Sequence, residues 1–436
     1  MNRRNKDDHR PNNPSSSSSA SNSSRSYLNR NKPSHKNPNR IIPDSTITAQ
    51  GWRGRRPDAA ESDVPRNRAN SQKFRLQGQH DDDEERGGCG SDPGFIVGTC
   101  PFMCPERERL QRERLRDLAV FERLDEDPAR TSSDLAVKKF CRTISMKDIE
   151  ASDVRPLPVL DRTLNYLLDL FDSSDHPFET VHDFIFDRTR SIRQDLSMQN
   201  IIGDQAISMY EKMVKFHVIS HHKLRKCATK GPPTSPMHHL NLEQLIKSLA
   251  SLYNLYDIIR KLGCDCKNEA EFRSLYIFLH LGSQGHNHIM GESLSFWLSR
   301  LPPSVIRSKE MLFARTILRF YHVGNFWSFF YCISKEATYL QLCMIETCIN
   351  EVRAEALACI NHGGYNPYPL THLCEILKMK ESDLEYFCGL CGLETSVDEV
   401  GNRVLPLKQT SFSHPKGGLN TYDYSGLEQL MREMKI

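Results

Sequence analysis

The sequence has no long hydrophobic run. Its most apolar window, Met311 to Ile333, is interrupted by Arg315, Arg319, His322 and Asn325. Such groups are expensive in lipid, so no membrane-spanning helix is expected. No apolar stretch follows the opening Met1-Asn2-Arg3-Arg4-Asn5-Lys6, so no secretory signal is read there and an intracellular chain is expected. There is no glycine-rich phosphate loop, nucleophile elbow or Asp/Glu–His metal motif, and nothing argues for catalysis. Strand-like alternation is nearly absent through the middle of the chain. The fourteen cysteines, in a reducing compartment, are expected to be thiols buried as small hydrophobes.

What is present is a charge asymmetry. The 436 residues carry a formal net charge of +3, but residues 1–80 hold sixteen Lys and Arg against six Asp and Glu. That segment is therefore about +10 and the remainder about −7. A basic tail suits a polyanion or a transport receptor, and a mildly acidic body suits protein partners. Residues 1–94 are expected to be disordered: they are rich in Ser, Asn, Arg and Pro, with Ser15 to Ser19 unbroken, and few aliphatic residues offset the ordering entropy. The tail closes on an acidic run, Asp81 to Glu85, and the glycines Gly87, Gly88 and Gly90. Arg53, Arg55 and Arg56 fit either a nuclear-import signal or a merely solvated tail.

Order is expected from Phe95. Pro105 suits a first helical position, with Glu106 and Glu108 at the positive helix end, and Leu110, Leu115, Leu118 and Phe121 follow on a helix stopping before Pro128. From Pro156 the helical period is strong. Leu160, Leu164, Leu167, Leu168 and Phe171 form one stripe; Leu242, Leu245, Ile246, Leu249, Leu252, Tyr253 and Tyr256 form another, closed by Gly263. Phe272 to Leu279, closed by Gly282, then Met311 to Tyr321, Phe326 to Ile333 and Leu340 to Ile360 continue the series. The fold class is mainly α: an α-solenoid over 95–365, predicted from helix count without a regular repeat. After Gly363-Gly364, a helix at Pro369 to Leu377, a second with capping-box spacing at Ser382 and Glu385, and short strands at Leu393 to Val397 and Arg403 to Leu407 resemble a winged helix over 366–410. Residues 411–436 read as a C-terminal tail, with a short helix at Leu427 to Met434.

Five constellations carry potential chemistry. Cys100 and Cys104 flank Pro101-Phe102-Met103; a zinc site would need two more ligands, and only Cys89 and His80 are near. The preferred reading is an ordered segment wedging Phe102 and Met103 into the helical body. Cys388 and Cys391 close an apolar helix, which fits buried thiols better than a redox pair. No metal and no cofactor is expected. Asp187, Arg188, Arg190, Arg193 and Asp195 form the densest charged block; it reads as a phosphate- or protein-binding cluster or, preferably, as an ion-pair network joining helices. His221-His222 and His238-His239 bracket Lys223 to Pro236, read as an exposed loop. In the winged helix, Glu381, Asp383 and Glu385 are the wrong charge for a nucleic-acid groove, whereas Lys378, Lys380, Arg403 and Lys408 could form a modest basic edge.

Several of these residues together resemble one family. Gly98-Thr99-Cys100-Pro101-Phe102-Met103-Cys104-Pro105, followed by Glu108-Arg109, is similar to the opening motif of the suppressor-of-actin-three/GANP family. Arg155-Pro156, the Asp187-to-Leu196 block, Phe216-His217, Asn241 to Leu245, Asn268 to Arg273 and Gly324-Asn325-Phe326 continue the resemblance in order, over about residues 95–410. The resemblance implies a PCI-type helical domain ending in a winged helix, acting as a scaffold of transcription-and-export complex 2. It also implies pairing with a second PCI winged-helix subunit and a small acidic clasp protein, RNA held on the joined edges, and a nuclear location. Large members carry phenylalanine-glycine repeats and a long centrin-binding helix. Neither is found in these residues, so the resemblance is to the short branch, and centrin or nuclear-pore components are expected only indirectly. The leading expectation is a non-catalytic scaffold for messenger-RNA processing and export. The alternatives are a structural protein of the centrosome or spindle, and a zinc- or thiol-dependent enzyme resting on Cys100, Cys104, Cys388 and Cys391.

Overall fold

Leu160, Leu164, Leu167, Leu168 and Phe171 recur every three or four residues, and all five are buried on one side of α2 (Leu157–Ser173). Each such side chain withdrawn from water contributes about 1.5–3 kcal/mol, so the stripe decides which face of the helix turns inward. The same logic builds α3 (Phe178–Met198), α4 (Asp204–Ala228), α5 (Pro236–Lys261) and α6 (Glu269–Phe278). It continues through α9 (Lys309–Val323), α10 (Phe326–Glu336) and α11 (Tyr339–Gly363), with α7 (Leu294–Ser299) and α8 (Pro303–Ile306) as short connectors. The computed structural model describes residues 95–143, 149–228, 236–282 and 292–415. The expected tail 1–94 with Arg53, Arg55, Arg56 and the acidic run, and the expected helix at Leu427 to Met434, lie outside the described residues.

Consecutive helices pack as pairs: α2 on α3, α4 on α5, α9 on α10. The long α11 then lays back across α4 and α6, while α6 also meets α9. Helix ends follow local chemistry. Gly263, Gly282 and Gly324 adopt positive φ just beyond α5, α6 and α9, where an L side chain would be strained. Ser308, Asn325 and Thr338 cap α9, α10 and α11 by accepting a backbone N–H with their side chains. Among the described residues no helix is long and apolar enough to cross a membrane.

Beyond α11 lies a small mixed unit. Its elements are β1 (Tyr368–Pro369), α12 (Leu370–Leu377), α13 (Glu381–Leu390), β2 (Ser396–Val397) and β3 (Arg403–Leu405). The strands form an antiparallel sheet in the order β1-β3-β2, with Tyr368 opposite Leu405 and Val397 opposite Arg403. Helix, helix, strand, strand is the order read from sequence, but the strands are only two or three residues long and β1 is additional. The expected capping box is not formed. α13 starts at Glu381, so Ser382 already lies inside the helix, and Lys380 precedes it without a side-chain cap. Glu385 instead pairs with Arg403.

Three further expectations are corrected. α1 (Glu106–Leu115) stops at Arg116, which adopts positive φ, well before Pro128. Leu110 and Leu115 on it are exposed, while Arg112 is buried, because Glu122 draws the guanidinium inward. Met103 is buried, as a wedge requires, but Phe102 is 42% exposed. The start of the expected loop is helical: α4 runs on through His221 and His222 to Ala228, and both histidines are buried, while 229–235 lie outside the described residues. Two different helices hold them there: His222 bonds Glu346 on α11, and His221 stacks on His238 of α5 at 4.3 Å.

Candidate functional site

The charged block on α3 has two opposite faces. Arg188, Ser191 and Asp195, spaced i, i+3 and i+7, share one helix face. Arg190, Arg193, Gln194 and Ser197 share the other. The structure uses them differently.

The first face is a buried polar junction that clasps the opening motif. Asp195 and Arg155 are both fully buried, with Arg155 Nε donating to Asp195 Oδ2 at 2.7 Å. Lys138 Nζ donates to the other carboxylate oxygen, also at 2.7 Å. Arg155 donates further to the Met103 carbonyl at 3.2 Å and to Ser191 Oγ at 2.9 Å. Beside this, fully buried Glu122 takes Arg112 and Arg188 together, and accepts the Val137 N–H at 2.9 Å. Burial alone would raise the Glu122 carboxyl, but Arg188 and Arg112 outweigh it and hold it below the usual carboxylate range. Asp187 pairs with Arg188 and accepts the Phe140 N–H. Asp195 is therefore partnered by Lys138 and Arg155, not by the arginines of its own block.

The opening motif is fixed by backbone as well as charge. Thr99 and Cys100 donate to the carbonyls of Ala151 and Val154. Gly98 donates to Gln199 Oε1 at 3.0 Å, and a Cβ there would lie 2.6 Å from the Val154 carbonyl oxygen. Pro101 accepts from Arg162 at 2.9 Å, Pro105 precedes α1, and Glu108 accepts the Lys139 N–H at 2.8 Å. Among the described residues Arg109 makes only the in-helix pairs with Glu106 and Glu113. Cys100 and Cys104 are buried; burial pushes the Cys104 thiol up to about 12, with Glu108 adding to the effect. Cys388 and Cys391 are likewise buried and pushed up to about 12. A thiol held protonated is a poor nucleophile and a poor metal ligand. Among the described residues no group of three His, Cys, Asp or Glu is placed to hold a metal ion.

The second face of α3 opens on a groove of about 790 Å³, closed by Tyr210 from α4, by Gln244, Lys247 and Ser251 from α5, and by Phe95, Ile96 and Phe140. Arg190 lies over the Phe140 ring at 3.8 Å. Arg193 donates to Gln244 Oε1 at 2.5 Å, and among the described residues its buried Nε has no acceptor. Burial pushes the Arg193 guanidinium down to about 10; Tyr210 opposes this and the like charge of Arg190 adds to it. Among the described residues no acidic side chain lines the groove.

Lys378 caps α12 at positive φ, and its carbonyl accepts from buried Arg353 at 2.8 Å. Lys380 is exposed at the start of α13. Arg403 pairs with Glu385, and Lys408 donates to the His362 carbonyl at the end of α11. The same unit exposes apolar side chains: Tyr386 and Leu390 on α13, and Val397 and Val400 on the β2–β3 hairpin, the last 83% exposed.

Comparison with known proteins adds the remaining observations. A sequence model described as the SAC3/GANP family matches residues 103–397. The chain is 38% identical over 312 residues to SAC3 family protein B of Arabidopsis thaliana, covering 70% of this chain and 18% of that protein. It is 32% identical over 336 residues to SAC3 family protein 1 of Schizosaccharomyces pombe, covering 73% and 32%. It is 26% identical over 339 residues to protein xmas of Drosophila melanogaster, covering 73% and 15%. The chain thus spans no more than 32% of the length of these relatives.

Proposed function

The chain belongs to the SAC3/GANP family, and on that premise we propose that it is a non-catalytic scaffold subunit of a nuclear complex that couples transcription to messenger-RNA processing and export. In this reading residues 1–94 are a basic tail, 95–365 the PCI-type helical body, 366–410 a winged helix and 411–436 a C-terminal tail. The winged helix pairs with a second PCI winged-helix subunit, and a small acidic protein clasps the pair. RNA lies along the joined edges, where Lys378 and Lys380 add to cations of the partner. Half a basic surface binds weakly alone, and each added phosphate contact raises affinity and its salt dependence.

The observation that carries this reading is the family match, which runs from Met103 in the opening motif to Val397 in β2. The exposed Tyr386, Leu390, Val397 and Val400 support the pairing. Exposed apolar side chains on a helix and on a short edge strand are what a partner would cover.

The test is to purify a tagged full chain from native cells, with and without nuclease, and identify what accompanies it. Recovery of a second PCI winged-helix protein with a small acidic protein, both surviving nuclease, is expected. Recovery of centrosomal or tubulin-associated proteins without that pair would overturn the proposal.

A further inference from the structure

We propose that the groove between α3, α4 and α5 is a second RNA site, binding the phosphodiester backbone of a single strand through Arg190, Arg193 and Lys247 and offering Phe95 to a base. It goes beyond the scaffold reading, because it lies in the helical body and needs no paired winged helix.

Three observations point to an anion. Elsewhere in the body, buried Arg112, Lys138, Arg155, Arg188 and Arg273 each meet a carboxylate. Arg190 and Arg193 stand three residues apart on one helix face, and among the described residues no carboxylate lines the groove they enter. Among the described residues Lys247 has only the exposed pair with Glu243 at 3.7 Å, a contact that water and salt readily exchange. Finally, the buried Nε of Arg193 is a donor without an acceptor among the described residues. An unsatisfied buried donor is costly, and a small turn of the guanidinium toward the groove would let an anionic oxygen satisfy it. At about 790 Å³ the space is in the range of ligand sites and exceeds what one inorganic anion fills.

The groove's aromatic residues choose between anions. Phe95 at its rim is 66% exposed, and the Phe140 ring already carries the Arg190 guanidinium on its face. Cationic side chains beside an accessible ring suit a single strand, whose phosphates meet the arginines while a base stacks on that ring. An acidic peptide would satisfy the cations and leave Phe95 unused.

The experiment titrates the full chain into a short fluorescein-labelled oligouridylate and follows anisotropy over a salt series. Arg190→Glu/Lys247→Glu and, separately, Arg193→Gln are compared with the parent, with thermal melts to establish folding. The double variant should melt like the parent, bind about tenfold more weakly or worse, and lose about 1.4 from the log–log salt slope, two single-strand phosphate contacts. Phe95→Ser should weaken oligouridylate binding several-fold while leaving inorganic polyphosphate binding unchanged. If Arg193→Gln does not fold, the double variant decides. Unchanged affinity and slope in a folded double variant would overturn the proposal. So would polyglutamate competing as well as unlabelled oligouridylate, which would make the groove a protein-docking site. Neither result depends on which proteins accompany the chain from cells.

Discussion

Arg155 and Asp195 lie forty residues apart in sequence and meet at 2.7 Å with neither side chain exposed to water. Through Met103, Ser191 and Lys138 the pair joins the opening segment to α3. Asp195→Ala would strand two buried cations. Breaking a buried pair on one side costs about 3–5 kcal/mol, far more than the intact pair contributes. Denaturant unfolding should show a loss of that order. Glu385→Ala, which breaks the half-exposed pair with Arg403, should cost at most about 1 kcal/mol. Equal losses in the two variants would contradict the assignment of Asp195 as a junction.

Gly98→Ala tests the close approach of the opening motif. The added methyl would meet the Val154 carbonyl oxygen at 2.6 Å, and backbone cannot yield as a flexible side chain does. A cost of about 1–3 kcal/mol is expected. Limited proteolysis should cut near residues 98–104 sooner, with the helices behind still protected. Unchanged cleavage would show that the segment shifts at little cost.

Stability should fall on mild acidification. Burial, with Arg193 adding, pushes His217 down to about 3 from 6.5, against the opposing hydrogen bond of Asn241. Burial chiefly pushes His238 down to about 4. Between those values and 6.5 the unfolded chain binds protons that the folded chain refuses, so stability rises with pH across that window and levels off above it. Each fully engaged histidine contributes a slope of about 1.4 kcal/mol per pH unit. Unfolding at several pH values should show a shallower slope in His217→Asn, and an identical slope would remove His217 from the account.

If the β2–β3 hairpin faces a partner, Val397→Asp/Val400→Asp should leave the melting temperature of the chain within a degree or so, because both side chains are already exposed. Co-purification of the second subunit should be lost. Lys378→Glu/Lys380→Glu should do the reverse, keeping the partner while the assembled complex binds RNA more weakly. Partner recovery unaffected by the valine changes would place the interface elsewhere.

The helices are legible in the sequence because their cores are apolar. The stripe from Leu160 to Phe171 and the closing Gly263 and Gly282 are signals that burial and backbone sterics write directly into the order of residues. α1 defeats that reading because its inward residue is Arg112, and hydrophobic periodicity has no symbol for a buried guanidinium whose partner, Glu122, lies ten residues on. The end of α4 defeats it because what buries His222 is Glu346, 124 residues away. The charged block carries a subtler signal. Its helical spacing alone separates Arg188, Ser191 and Asp195 from Arg190, Arg193 and Ser197, and so divides the junction from the groove. Gly98 offers no such clue: what it approaches is the Val154 carbonyl, a contact visible only in three dimensions.

The return of α11 onto α4 and α6 bears on how the chain is made. A stack in which each helix touches only its neighbours can mature as it leaves the ribosome. Here α4 cannot bury the face that meets α11 until residues past Tyr339 have emerged, more than a hundred after its own. At about 5–20 residues per second that is a wait of several seconds or more. For that time His221, His222 and their apolar neighbours are open to chaperones and to other nascent chains. A nonsense mutation before α11 would therefore yield a fragment with the α11-facing side of α4 uncovered, marked for degradation rather than a shorter working protein.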